Sequence, residues 1–235
     1  MRAIVRPARS LVAAGLSLVL LASCGGSQPA SVDPAQALRD GAAAMAKLTS
    51  VKANLKFTKG VVTFQGYTLV GAKAVVRLPS DSDTIYTVKQ QDFAFSIRVV
   101  VSGGHVYVKL PFLAFTDETR SAAAYPDVAK LFDTTSGLPA VIPAGRSPKF
   151  VAADPVDGVD SNKIEATYGP DQLHGMLPQL TSAGDVDAVV WVGGSDHLIR
   201  KAVLSGPFGD KNAASSIEVD MSAFNSVVTI TPPTP

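Results

Sequence analysis

The chain has 235 residues and near-balanced charge, 21 Lys and Arg against 20 Asp and Glu, so it carries no basic field for nucleic acid. Hydrophobic residues make up 46% and charged ones only 17%, which is apolar for an exported domain and points either to apolar surface beyond what a compact core requires or to a larger core. A single cysteine excludes an intrachain disulfide framework, leaving stability to the packed core.

Residues 1–23 have the three-part layout of a secretory signal: a cationic start (Arg2, Arg6, Arg9), an apolar run from Leu11 to Leu21 and small residues at the cut. The run is shorter than the roughly 20 residues a transmembrane helix needs. Leu21-Ala22-Ser23-Cys24 resembles a bacterial lipobox, after which the Cys24 thiol carries diacylglycerol and the mature protein begins at Cys24. Residues 24–32, small, polar and proline-containing, are expected to be a flexible tether, with one domain over 33–235.

Asp33 is a good N-cap, Pro34 suits a first helical turn and Gln36 gives a capping-box spacing. A helix is therefore expected over Ala35 to Leu48, with Leu38, Met45 and Leu48 on its buried stripe. From Val51 the period becomes two: Val51, Ala53, Leu55 and Phe57 alternate with Lys52, Asn54, Lys56 and Thr58. Further strands are expected at 61–70, 74–78, 84–89, 93–101 and 106–110, with turn signals at Gly60, Gly66, Gly71, Ser80 to Asp83 and Ser102-Gly103-Gly104. The clearest is Phe93, Phe95, Ile97 and Val99 against Asp92, Ala94, Ser96 and Arg98. Short helical segments follow at Pro126 to Phe132 and Ser136 to Ile142, then strands at 149–153, 162–168, 186–192, 197–204, 215–221 and 227–231, with a helix at Pro170 to Leu177. The fold class is α+β, a large antiparallel sheet with a few helices on one side.

No catalytic constellation stands out. His105, His174 and His197 lack metal-ligand spacing, and Gly194-Ser195-Asp196-His197 puts adjacent side chains on opposite faces, which suits a hairpin turn rather than a relay. Asp154, Asp157 and Asp160 are three apart but lack the alternating ligands and distal Glu of a calcium loop. Gly103-Gly104 and Gly193-Gly194 sit between strands and read as hairpin glycines, not a phosphate loop. The chain is expected to be a binding protein with no cofactor, metal or enzymatic activity.

Four stretches resemble the mycobacterial LppX, LprA, LprF and LprG lipoprotein family. They are the lipobox with the step Leu48-Thr49-Ser50-Val51-Lys52-Ala53; Gly104-His105-Val106-Tyr107-Val108 with Tyr125-Pro126-Asp127 and Ser136-Gly137-Leu138; Val156 to Ile164; and Ala188-Val189-Val190-Trp191-Val192 with His197-Leu198-Ile199-Arg200. Ser222-Ala223-Phe224-Asn225 departs from the family's Ser-x-Trp-Gly, and residues 60–90 align poorly. The resemblance implies a half-barrel: a strongly curved antiparallel sheet, helices over its concave face and a hydrophobic cavity between them. It also implies a monomer that is anchored to the cell membrane through Cys24 and faces the periplasm or cell-wall side. Such a protein binds acylated lipids or glycolipids and carries them within the envelope, working with a membrane exporter. The inward side chains expected to line the cavity are Leu55, Phe57, Phe93, Phe95, Ile97, Val99, Val106 and Val108, with Leu131, Leu138 and Ile142 from the covering segment. Two other readings are an envelope chaperone or assembly factor binding protein partners, and an exported hydrolase with a dispersed site.

Overall fold

The computed structural model describes residues 32–176, 182–207 and 214–234; the proposed signal, Cys24 and nearly all of the tether lie outside them. Helix α1 (Pro34–Met45) is followed by β1 (Ser50–Lys59), β2 (Val62–Phe64), β3 (Tyr67–Arg77), β4 (Asp81–Gln90), β5 (Phe93–Ser102), β6 (His105–Lys109) and β7 (Phe115–Asp117). A covering segment contains a 3₁₀ turn (Val128–Phe132), α2 (Leu138–Val141) and a second 3₁₀ turn (Ile142–Ala144). Then come β8 (Arg146–Ala153), β9 (Ser161–Tyr168), α3 (Pro170–Met176), β10 (Val186–Gly193), β11 (Ile199–Gly206) and β12 (Ser215–Ser222).

β1 is the hub. It pairs antiparallel with β3 on one side and β12 on the other, joining two meanders into one open sheet of order β7-β6-β5-β4-β3-β1-β12-β11-β10-β9-β8, with β2 added beside β3. Side chains directly opposite in a ladder share a face, so the register Ile97–Tyr86–Ala72–Leu55–Val219–Ala202–Val190–Ile164 traces one apolar row across eight strands. α1 and the covering segment pack on that face. Among the described residues no helix is long and apolar enough to cross a membrane.

The start of α1 follows from its sequence. Asp33 Oδ1 accepts from the N–H groups of Ala35 and Gln36 at 2.9 and 3.1 Å, satisfying two donors the first turn leaves open. The reciprocal half of a capping box does not form, because the Gln36 amide is bound to Asp40 and accepts from Arg39. The helix ends at Met45, three residues short of the expected end, and Leu48 is still buried in the turn that follows. Full burial of Leu38 and Met45 stabilises the helix on the sheet by roughly 2–3 kcal/mol each.

Three expected elements are corrected. The strand expected over 61–70 is a tight hairpin: Gln65 and Gly66 both take positive φ, 53° and 80°, the geometry of a two-residue turn that follows strand twist. Gly71, expected as a break, lies inside a continuous β3, where a Cβ would sit 2.5 Å from the Leu55 carbonyl oxygen; its missing side chain allows close backbone approach at a bulge. Residues 227–231 form no strand. Both edges of β1 are already paired, and the chain leaves β12 through positive φ at Ala223 and Asn225, tied to β1 by Asn225 N–H donating to the Ser50 carbonyl. The short β7 and the 3₁₀ turn over Thr119–Ala124 carry too little periodicity to have been expected. Leu177, the expected end of α3, lies outside the described residues.

Candidate functional site: an alanine-walled cavity

Between the sheet and the covering segment lies a cavity of about 140 Å³ with walls almost wholly of carbon. Its floor is set by side-chain size. β1, β3, β10 and β11 present Ala53, Ala72, Ala74, Ala188 and Ala202, where a leucine or phenylalanine would have reached the cover. Leu131, Leu138, Val141 and Ile142 from the cover form the roof, and Leu173 and Met176 of α3 form a side wall.

The residues expected to line a cavity fall into three groups. Leu55, Leu131, Leu138 and Ile142 border this one. Phe57 packs beside it, against the cluster of Val62, Leu173, Met176, Val186 and Ile217. Ile97, Val99, Val106 and Val108 share the same sheet face but sit under Phe64, Tyr67 and Tyr125, with Phe95 at their edge packed edge-on to Tyr67 at 4.9 Å; they form a filled core, not a wall. Phe93 is 79% exposed at the tip of the β4–β5 hairpin, because the sheet runs out from under it before any cover reaches that end. Fully exposed Phe112, in the loop between β6 and β7, is likewise uncovered.

Polar atoms near the cavity are few. Tyr168 Oη donates to the Ile142 carbonyl at 3.0 Å and Tyr86 Oη to the Pro126 carbonyl at 3.2 Å, so each phenol pins the cover to the sheet. Burial pushes the Tyr168 hydroxyl up to about 12. For Tyr86 burial again dominates and the Asp127 charge adds to it, while the neighbouring Thr84 hydroxyl pulls the other way; both phenols stay protonated at neutral pH. Asp127 caps the 3₁₀ turn by accepting from Ala129 N–H at 3.1 Å, and its own pKa is raised by burial. Thr84, on the same face two residues before Tyr86, is buried beside its phenol.

The other candidate motifs lie away from the cavity. Asp196 is bound to Arg200 at 2.6 and 2.9 Å and to Leu198 N–H in the β10–β11 turn, where His197 takes positive φ, so Ser195, Asp196 and His197 form a turn. Asp154 accepts from Trp191 Nε1 at 2.8 Å, with Lys163 and Lys201 over the indole ring, which fastens the 154–160 loop to the outer face of the sheet. His105 pairs with Asp117 at 3.2 Å, and His174 is exposed on α3. Among the described residues no group of three His, Cys, Asp or Glu side chains is arranged to hold a metal.

A search by large apolar side chains overlooks the cavity's defining residues, which are small. The available sign is alanine at inward positions of otherwise bulky strands, as at Ala53 between Val51 and Leu55. Only the cross-strand register shows that these alanines meet.

The family model described as LppX_LprAFG lipoprotein matches residues 33–230. LprF from Mycobacterium bovis is similar in structure, with a TM-score of 0.68 at 17% identity over 87% of this chain and 99% of that one. LppX from Mycobacterium tuberculosis has a TM-score of 0.60 at 21% identity, covering 85% of this chain and 100% of its own. No curated protein matches the sequence significantly.

Proposed function

The chain belongs to the LppX_LprAFG lipoprotein family, and from that premise we propose that it binds the acyl chains of lipids or glycolipids in the alanine-walled cavity and carries them within the bacterial cell envelope. One observation carries the reading: the cavity has almost no polar wall, so it suits hydrocarbon and offers no place to hold a charged or reactive group. Each buried methylene contributes roughly 0.8 kcal/mol, so acyl chains need no charged clamp. Long acyl chains enter as the cover lifts. The cover suits that movement, being short turns and a four-residue helix held to the sheet by two phenol hydrogen bonds and apolar contacts.

Lipidated at Cys24 and tethered by residues 24–32, the domain stays beside the bilayer that supplies its cargo, on the periplasmic or cell-wall side, and acts as a monomer that passes cargo to or from a membrane exporter. Diacylglycerol supplies two chains, enough for stable anchoring where one would be marginal. The reading excludes enzymatic turnover. The test is to incubate the full protein with phosphatidylcholine vesicles bearing a small fraction of fluorescent palmitoyl ester, then transfer it to unlabelled acceptor vesicles. Saturable transfer that depends on protein concentration is expected. Failure to extract or transfer the ester, with no lipid released from the purified protein by organic solvent, overturns the proposal.

A further inference from the structure

One end of the sheet carries apolar side chains left uncovered. Phe93 opens β5 at the β4–β5 tip, and β6 runs antiparallel to β5 with Lys109 opposite Arg98, so the loop that follows Lys109 continues toward the same end. That loop brings Leu110, Phe112 and Leu113, all exposed. Leu113 N–H donates to the Leu110 carbonyl at 3.3 Å, Pro111 holds the first corner of the turn, and Phe112 holds the second with a φ of 62°. Positive φ at the corner after a proline is the signature of a type II turn, a place for glycine or asparagine. A bulky aromatic is strained there, and Phe112 is fully exposed, so no packing within the domain offsets the cost. Residues held in such conformations cluster where a protein meets its ligands.

We propose that this end of the sheet docks on a lipid bilayer, with Phe93 on one tip and Phe112 and Leu113 on the other entering its interfacial layer while Lys89 and Lys109 meet anionic head groups. Both lysines are exposed at or next to the ends of their strands, beside the tips. The lysines that pair with carboxylates among the described residues are Lys56 and Lys201. Asp92 is the one carboxylate within the two tips. Aromatic side chains bordered by lysine suit the membrane interface, where the ring sits at the level of the head groups and the ammonium faces phosphate. A stable protein interface is built around one continuous, well-packed core, whereas these side chains stand on two separate tips, which a fluid bilayer accepts at different depths. The inference rests on the carrier reading for its purpose, setting the uncovered end of the domain on the membrane that holds the cargo.

The test uses the full protein reconstituted in vesicles of phosphatidylcholine and phosphatidylglycerol in equal parts, with tryptophan as the probe. Phe112→Trp and Phe93→Trp report on the two tips, and Val227→Trp, at a fully exposed site beyond β12 at the other end of the sheet, is the control. Buried Trp191 supplies a constant background. Both tip variants are expected to show blue-shifted emission and quenching by phosphatidylcholine brominated along its acyl chains, and both effects should weaken in vesicles of phosphatidylcholine alone. Val227→Trp is expected to keep the emission of an aqueous indole and to escape quenching. Unshifted, unquenched emission from both tips, or equal quenching at all three positions, overturns the docking. So does a blue shift that appears without vesicles and grows with protein concentration, which marks a second copy on the tips. Transfer of fluorescent palmitoyl ester is measured on the same samples. Quenching without transfer leaves the docking standing and overturns the carrier reading; transfer without quenching does the reverse.

Discussion

Two halves of one sheet face are packed in opposite ways. Across β4, β5 and β6 the inward positions are Tyr86, Val88, Ile97, Val99, Val101, Val106 and Val108, closed over by Phe64 and Tyr125, with the Phe64 and Tyr86 rings 4.7 Å apart. Across β3, β1, β11 and β10 the same face presents alanine at five positions, and the ring the cover does bury there, Phe132, packs outside the cavity lining. Both halves alternate, and both bury apolar side chains. The difference is volume: a sheet with large inward residues and an aromatic lid becomes core, whereas small inward residues beneath a thin aliphatic cover leave a cavity. Tyr86 marks the seam, counted in the filled cluster and lining the cavity as well.

Removing volume from each half is the strongest way to break this comparison. Ile97→Ala, in the filled half, is expected to cost about 3–4 kcal/mol, because a packed neighbourhood collapses only partly around the hole. Leu55→Ala, beside existing space, is expected to cost about 2 kcal/mol and to raise the affinity for longer acyl chains. Urea unfolding midpoints measure both; a larger loss for Leu55→Ala would show that the cavity half is as tightly packed as the other. Adding volume gives the converse. Val99→Phe is expected to cost about 1–3 kcal/mol through overpacking, whereas Ala202→Phe has room for its ring and is expected to cost under about 1 kcal/mol. The latter change should weaken fluorescent palmitoyl ester binding at least about tenfold, the equivalent of two lost methylene contacts. If Ala202→Phe destabilises as much as Val99→Phe and leaves the ester bound, the cavity is not the acyl site.

Why the sequence reveals one half more readily than the other follows from the same contrast. The period-two pattern of Phe93 to Val99 correctly gives β5 and its inward parity, and the resemblance implies the open sheet with its cover, an architecture the fold shares with LprF and LppX. A strong apolar alternation marks where side chains are large, which is where the core fills; Ile97 and Val99 are among the most buried residues for that reason. Ala72 and Ala74 are weak local signals, and their role depends on facing Leu55 and Ala53 of β1, a pairing between strands that no local pattern displays.

The smallest expected effect probes the seam itself. Asp127 lies in the cover next to Pro126, whose carbonyl holds Tyr86, and burial is the main cause of its raised pKa, with the Asp81 charge adding and Ala129 N–H and Lys130 opposing. Between the unfolded value near 3.9 and the raised folded value, the native state binds more protons than the unfolded chain, so stability falls as pH rises through that window. Asp127→Asn keeps a side-chain oxygen for Ala129 N–H but carries no charge. The variant is therefore expected to be more stable than the wild type at pH 7, by less than about 1 kcal/mol because solvent still screens the carboxylate. The gap should close as pH falls below about 4, where both wild-type states are protonated. Melting temperatures of the two proteins between pH 3 and pH 8 decide the matter: a gap that stays constant with pH means that the carboxylate is fully solvated, and that the cover meets the sheet at Tyr86 more loosely than its buried phenol implies.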